Sequence, residues 1–374
     1  ASPHVAGVAA LVKEYLVKHH PELTPEQVSE TVKALIMSTA KPHVNKETGA
    51  YTSPRQQGAG VVDTAAAVST DLYVTGENNY PSVTLGNVGD SFTFDVTVHN
   101  ISDTDRTLKM LVNTDTDEVK DGKFTLRPRK LTETAWPEVT VKAHSSETVT
   151  VKVDTSKFTE ELSKEMPNGY FLEGFVRFVD PADDGDVVSL PFMGFKGEFQ
   201  NLPAVEKPVY DLVREGKDGF YYHIPKDLNI SSSANVSALV TQQNDFLLTQ
   251  GKRDGRRITV LGIDENAEGT HTLQLDENGN VRIAISPNED GNKDLVEYKT
   301  VALRNIENLH ATVYAASDTE HKNPLWEGTP SDHRKNFFDG NEKNPRSYTL
   351  DNTAWNGTDA NGKAVADGVY DYVI

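Results

Sequence analysis

The stretch ISPNEDGNKD sets oxygen-bearing side chains at Asn288, Asp290, Asn292 and Asp294, one on every second residue, with Gly291 free to bend between them. A Ca²⁺ ion takes about six to eight oxygens from alternating loops of this kind. The loop is not an EF-hand, because Lys299 stands where the closing Glu belongs and the glycine is displaced. The competing reading is an Asx-rich turn, in which the same side chains bind their own backbone N–H groups. A second acidic loop, PADDGD, carries Asp183, Asp184 and Asp186 just after Asp180 and reads as solvated surface. At the front, Ser2 and His4 are the pair that could act as nucleophile and base. A serine needs that base within hydrogen-bond reach. Residues two apart on a helix do not face each other, and Ala1 precedes Ser2, so an N-terminal nucleophile is not available either. No catalytic residue is assigned within this chain. His19, His20 and His43 read as solvated.

These side chains belong to a chain of 374 residues, more than one core usually organises, so two or three domains are expected. Lys and Arg total 37 against 56 for Asp and Glu, a net charge of −19. That excess repels phosphate backbones and argues against nucleic acid as a partner. No apolar run approaches the ~20 residues of a membrane-spanning helix. The absence of cysteine excludes disulfide frameworks, thiolate zinc sites and thiol nucleophiles.

The elements that must position the polar residues change type along the chain. In the first 70 residues, Val5, Val8, Ala9, Val12 and Leu16 recur at the step of one helix face, Pro3 suits the first turn, and His20-Pro21 ends the run. LTPEQV announces a second helix. Thr24 caps it, Pro25 takes its first position, Gln27 completes a capping box, and Leu23 and Val28 form a hydrophobic staple. Val28, Val32, Leu35 and Ile36 give its buried stripe. In SPRQQGAGVVDTAAAV, Gly58 and Gly60 permit a close turn and Asp63 caps a short helix. From Leu72 the period becomes two. Phe92, Phe94, Val96 and Val98 point one way in SFTFDVTVHN, as do Val149, Val151 and Val153 in ETVTVKV. With GYFLEGFVRF and VVSLPFMGF these strands make a β-sandwich over 71–199. NLPAVEKPVYDLV reads as a linker. RRITVLGI, HTLQL, VRIAI, TVALR and LHATVYA then read as strands of a further β domain over 200–374, with DANG as a hairpin turn. Tyr370, Tyr372 and Ile374 form an unfinished alternation, so this domain reads as truncated.

ASPHVAG with an apolar helix behind it resembles the end of the serine motif of subtilisin-like (subtilase) serine proteases. QGAGVVDTAAAV resembles that family's Gly-x-Gly-x-Val-Asn/Asp segment and closing helix. Ser2 matches the motif's second serine, not its nucleophile. YTSPRQQGAG, VTVHN, NGYFLEGFVRF, AISPNEDGNKD and WNGTDANGKAVADGVYDY are similar to streptococcal cell-envelope proteinases that cleave complement anaphylatoxin and chemokines.

The resemblance implies the C-terminal helices of an α/β subtilisin-like catalytic domain over 1–70. It implies a fibronectin type III-like sandwich over 71–199 and a truncated second fibronectin- or immunoglobulin-like β domain over 200–374. It also implies peptide-bond hydrolysis by an Asp-His-Ser triad with an Asn oxyanion donor. All of these precede the present stretch in the family's order. The chain alone is therefore expected to be inactive and to need the N-terminal part of the catalytic domain, from the same precursor or as a separate chain. An extracellular place is implied, secreted or on the bacterial cell wall, with a folded host protein as substrate. The acidic balance suits a basic one by electrostatic steering. The alternative is a non-enzymatic cell-surface adhesin or scaffold of sandwich modules. Such a protein has no use for the capped helix pair, which cannot bury its apolar faces alone.

Overall fold

The computed structural model describes residues 2–230, 234–244, 256–265, 270–335 and 348–374, so Ala1 lies outside the described residues. The chain divides into two compact units, Ala1–Leu202 and Pro203–Ile374.

The first unit opens with α1 (Ser2–His19) and α2 (Pro25–Ser38), followed by the one-turn helices α3 (Pro54–Gln57) and α4 (Thr64–Ala67). The capping box forms: the Gln27 N–H donates to Thr24 Oγ1 at 3.3 Å and the Thr24 N–H to Gln27 Oε1 at 2.9 Å. Asp63 caps α4 by accepting the Ala66 N–H at 3.0 Å. Val12 and Leu16 pack with Val28, Leu35, Ile36 and Ala67, and Tyr73 and Ile101 of the following segment close this cluster. Ser38 ties the helices to that segment, its hydroxyl donating to Val74 O and accepting the Val74 N–H. His20 differs from expectation. The reversal after α1 turns it inward, where it is buried with Nε2 3.1 Å from Asp71 Oδ1.

The strands are β1 (Leu72–Thr75), β2 (Val83–Asn87), β3 (Ser91–Asn100), β4 (Arg106–Lys120), β5 (Lys123–Val141), β6 (Ser145–Asp154), β7 (Tyr170–Val179) and β8 (Asp186–Lys196), with α5 (Thr159–Glu165) before β7. They form a three-stranded sheet, β1-β3-β6, facing a five-stranded sheet, β2-β8-β7-β4-β5. All pairs are antiparallel except β2 with β8. The alternation read in β3 and β6 is the inner face: Phe94, Val96, Val98, Val151 and Val153 meet Met110, Val176, Phe178, Leu190 and Phe192. Each fully buried phenylalanine contributes roughly 2–3 kcal/mol by leaving water. β5 ends its sheet, which is where Pro128 and Pro137 cost no ladder hydrogen bond. The register pairs Leu108 with Val139 and Met110 with Trp136, so Pro137 and Glu138 together stand opposite Lys109. This bulge lets Trp136 and Val139 both point inward.

The second unit pairs α6 (Val209–Glu215) with β9 (Ala238–Asn244), β10 (Arg256–Val260), β11 (Ile263–Glu265), β12 (His271–Leu273), β13 (Val296–Thr300), β14 (Ile306–Leu309), β15 (Thr312–Ala315), β16 (Trp326–Glu327), β17 (Ser331–His333), β18 (Tyr348–Trp355) and β19 (Tyr370–Val373). The sheets run β10-β9-β13-β18 and β16-β15-β19, with β11–β12 and β14–β17 as two-stranded pairs. Val209, Tyr210 and Leu212 of α6 pack on Val236 and Val240. Around Trp355, Val296 and Val313 lies a separate core. VRIAI contributes a single bridge, Leu275 to Val281, instead of a strand. The strand expected at TVALR lies one step upstream, at VEYKT.

Candidate functional site

Ser2 and His4 occupy the first turn of α1 and both are exposed. Nothing in that turn orients one toward the other. Farther along α1, Val5, Leu11 and Val17 are 42%, 53% and 57% exposed. The front helix thus keeps apolar side chains in water on more than one side, while Val12 and Leu16 are fully buried.

In the 288–294 loop the polar side chains turn onto their own backbone. Asp294 Oδ1 accepts the N–H groups of Asn288 at 3.2 Å and Glu289 at 2.8 Å, and Oδ2 accepts that of Gly291 at 2.8 Å. Asp290 Oδ1 accepts from the Asn292 N–H at 2.8 Å, while Asn288 Nδ2 donates to Asp290 Oδ2 at 3.1 Å. Both Asp294 oxygens are therefore committed to closing the loop. Among the described residues there is no cluster of three or more His, Cys, Asp or Glu side chains arranged to hold a metal ion.

The densest chemistry of the first unit lies where residues 41–62 cover the outer face of β4 and β7. That segment is a tight loop, closed by Lys41 pairing with Val61 and Val44 with Tyr51. Gly60 makes it possible: its φ is +122°, and a Cβ there would stand 2.4 Å from the Lys41 carbonyl oxygen. Arg55 reaches Glu173 in a two-pronged contact, Nε to Oε2 at 2.9 Å and Nη2 to Oε1 at 3.0 Å. Its Nη2 also donates to Asp117 at 2.8 and 2.9 Å, and its guanidinium lies 4.0 Å from the centre of the Phe171 ring. Glu173 is only 1% exposed, so this fork is its compensation. Beside it, the Tyr51 N–H donates to Asp115 Oδ2 at 3.1 Å, while Oδ1 is buried without a partner. Burial pushes the Asp115 carboxyl up to about 7, only partly opposed by the Tyr51 hydrogen bond. Tyr51 packs against Phe175, with ring centres 5.3 Å apart. Arg177 joins from β7 through Asn113 at 2.8 Å and Asp186 at 2.9 Å.

A second polar group sits on the outer face of the three-stranded sheet. His99 places Nε2 2.9 Å from Thr75 Oγ1 and Nδ1 2.9 Å from Ser146 Oγ, and its ring stacks on Tyr73. Burial lowers its pKa to about 4, so the imidazole is neutral. Its ring nitrogens bond hydroxyls and no carboxylate orients the ring, unlike the base of an acyl-transfer triad.

Residues 1–60 match the subtilase family and residues 83–193 the Fn3-like domain. A C5a peptidase of Streptococcus pyogenes serotype M6 is 36% identical over 402 residues, covering 100% of this chain and 33% of that protein. The PII-type proteinase of Lactococcus lactis subsp. cremoris is 26% identical over 394 residues, covering 100% of this chain and 19% of that protein. The chain spans about a third of the length of the curated C5a peptidases it matches. A β-glucosidase structure from Listeria innocua overlaps with a TM-score of 0.22 at 14% identity, covering 47% of this chain and 23% of that one, and has no bearing on the fold. The chain carries a subtilase-family segment followed by an Fn3-like domain, and is related over its whole length to the streptococcal C5a peptidases.

Proposed function

We propose that this chain is a portion of a secreted subtilisin-like serine endopeptidase that acts on host immune proteins of the complement anaphylatoxin or chemokine class. The observation that carries the reading is the subtilase match over 1–60, joined to 36% identity with C5a peptidase over the whole chain. In this reading α1 is the helix behind the nucleophile. Its exposed Val5, Leu11 and Val17 pack against the N-terminal part of the catalytic domain, which brings the Ser, His and Asp. The chain by itself supplies scaffold and no triad member. The charge of −19 favours a basic, folded substrate through steering. Cell-wall attachment follows the same reading. Among the described residues, no helix is long and apolar enough to cross a membrane.

The test is made on the polypeptide that joins this chain to the rest of the subtilase domain. A fluorophosphonate probe labels that protein and leaves the 374-residue chain unlabelled. Incubation with C5a and with a basic chemokine gives discrete cleavage products by mass spectrometry. Labelling without cleavage of either substrate refutes the substrate class, and absence of labelling refutes the hydrolase.

A further inference from the structure

The two sheets of the sandwich are unequal, three strands against five, and they end unevenly on the side where β5 turns over into β6. β5 terminates the larger sheet and β6 the smaller one. Away from the turn that joins them the two strands diverge. The gap holds two consecutive cavities of about 360 and 250 Å³, and Trp136 lines both. Thr134 points to the inner face in register with Val112, yet it is exposed, so this strip of inner face lacks a covering strand.

Two polar atoms in the strip are buried without a partner. One is Trp136 Nε1, a donor; the other is the hydroxyl of Thr114, a residue 1% exposed that lines the second cavity. An unmade hydrogen bond at such a position costs about 1–3 kcal/mol, which favours a ligand bearing carbonyl and N–H groups.

The neighbouring edges are not equally guarded. β5 carries Pro128, Pro137 and the 137–138 bulge, devices that block strand addition. β6, SSETVTVKVD, has no proline, glycine or bulge and pairs with β3 without a break from Ser145 to Asp154. Every second residue of β6 directs its N–H and C=O away from β3, and among the described residues no strand takes them. The gap is flanked by Glu138, Glu147 and Asp154 against Lys152, an excess of negative charge.

We infer that the β6 edge of the Fn3-like sandwich is a strand-addition site for an extended, basic peptide segment, which lies over Trp136 and completes the three-stranded sheet. The backbone of the segment pairs with β6. A carbonyl along it accepts the Trp136 N–H, and its Lys or Arg side chains meet Glu138 and Glu147. This is peptide capture by β-augmentation. It stands apart from the hydrolase reading, because it needs only residues of this chain and no bond is broken.

The test uses the full chain and the capped peptide Lys-Val-Lys-Val-Lys-Val. Its Glu-Val counterpart and a form N-methylated on alternate residues serve as controls. Calorimetry gives saturable binding of the basic peptide, and amide exchange slows at alternate residues of 147–153. The acidic peptide and the N-methylated peptide each bind about tenfold more weakly or worse, as expected for lost charge pairs and lost ladder bonds. Glu138→Lys combined with Glu147→Lys, both exposed positions, reverses the charge preference while thermal unfolding stays put. No saturable binding, equal binding of the acidic peptide, or undiminished binding of the N-methylated form each overturns the proposal. Concentration-dependent self-association that the peptide abolishes overturns it too, since a second copy would then be the occupant.

Discussion

Asp115 offers a measurement in which pH alone separates folded from unfolded behaviour. An unfolded aspartate loses its proton near 3.9. In the folded chain, burial on β4 beneath Tyr51 pushes the same carboxyl up to about 7. Over that window the folded state holds the proton and the unfolded state does not. The group therefore leaves stability intact below about pH 4, erodes it as pH rises, and adds nothing further above about pH 7. Between pH 5 and pH 8 the loss is about 3 kcal/mol. Asp115→Asn removes the titration and keeps an oxygen to accept the Tyr51 N–H. Any constant offset from the new amide is the same at both pH values, so the change in the difference between the two proteins isolates the carboxyl. Urea unfolding of both proteins at pH 5 and pH 8 reads this out. Of the three tryptophans, only Trp136 lies in the first unit, so replacing Trp326 and Trp355 with Phe makes its fluorescence specific. The variant should gain about 3 kcal/mol relative to wild type on going to pH 8. A gap between the two proteins that is identical at both pH values refutes the argument.

Arg55→Ala strands the buried Glu173 carboxylate and should cost about 3–5 kcal/mol in the same assay; adding Glu173→Gln recovers a large part of the loss. Thr24→Ala removes the capping box and should cost about 1 kcal/mol, with faster amide exchange in the first turn of α2. Asp294→Ala releases three backbone N–H groups and should lower the unfolding free energy of the second unit by about 1–2 kcal/mol, while Asp290→Ala costs less. Calorimetric titration with Ca²⁺ separates the two readings of that loop: heat that both substitutions abolish makes it a cation site, and silence leaves the turn.

What the residues announced in advance was whatever depends on near neighbours. The Thr24-Pro25-Gln27 cap, the α2 stripe and the alternation of β3 and β6 each rest on spacings of two to four residues, and all are present. The Arg55–Glu173 fork joins positions 118 apart, and Asp115 meets a backbone N–H 64 residues away. No local period encodes such pairings. A signal was nonetheless present: a Glu within the apolar run GYFLEGFVRF, and an Asp midway along β4, are charges where burial is expected. VEYKT carries no alternation because it is buried on both faces with Glu297 and Lys299 inside, and Lys299 Nζ donates to the Ala234 carbonyl at 2.6 Å. VRIAI has the alternation of a strand because Ile283 and Ile285 do face cores, though from irregular backbone.

The clamp of residues 41–62 onto the sandwich changes how the first unit can move. A module hung on a bare tether swings freely and reports nothing about its neighbour. Here a guanidinium wedged between two acids, with an aromatic stack beside it, bolts the closing part of the subtilase-family segment to a β-sheet wall. A load applied to the sandwich, by a captured peptide or by tension along the chain, passes straight to the front helices instead of being absorbed by a hinge.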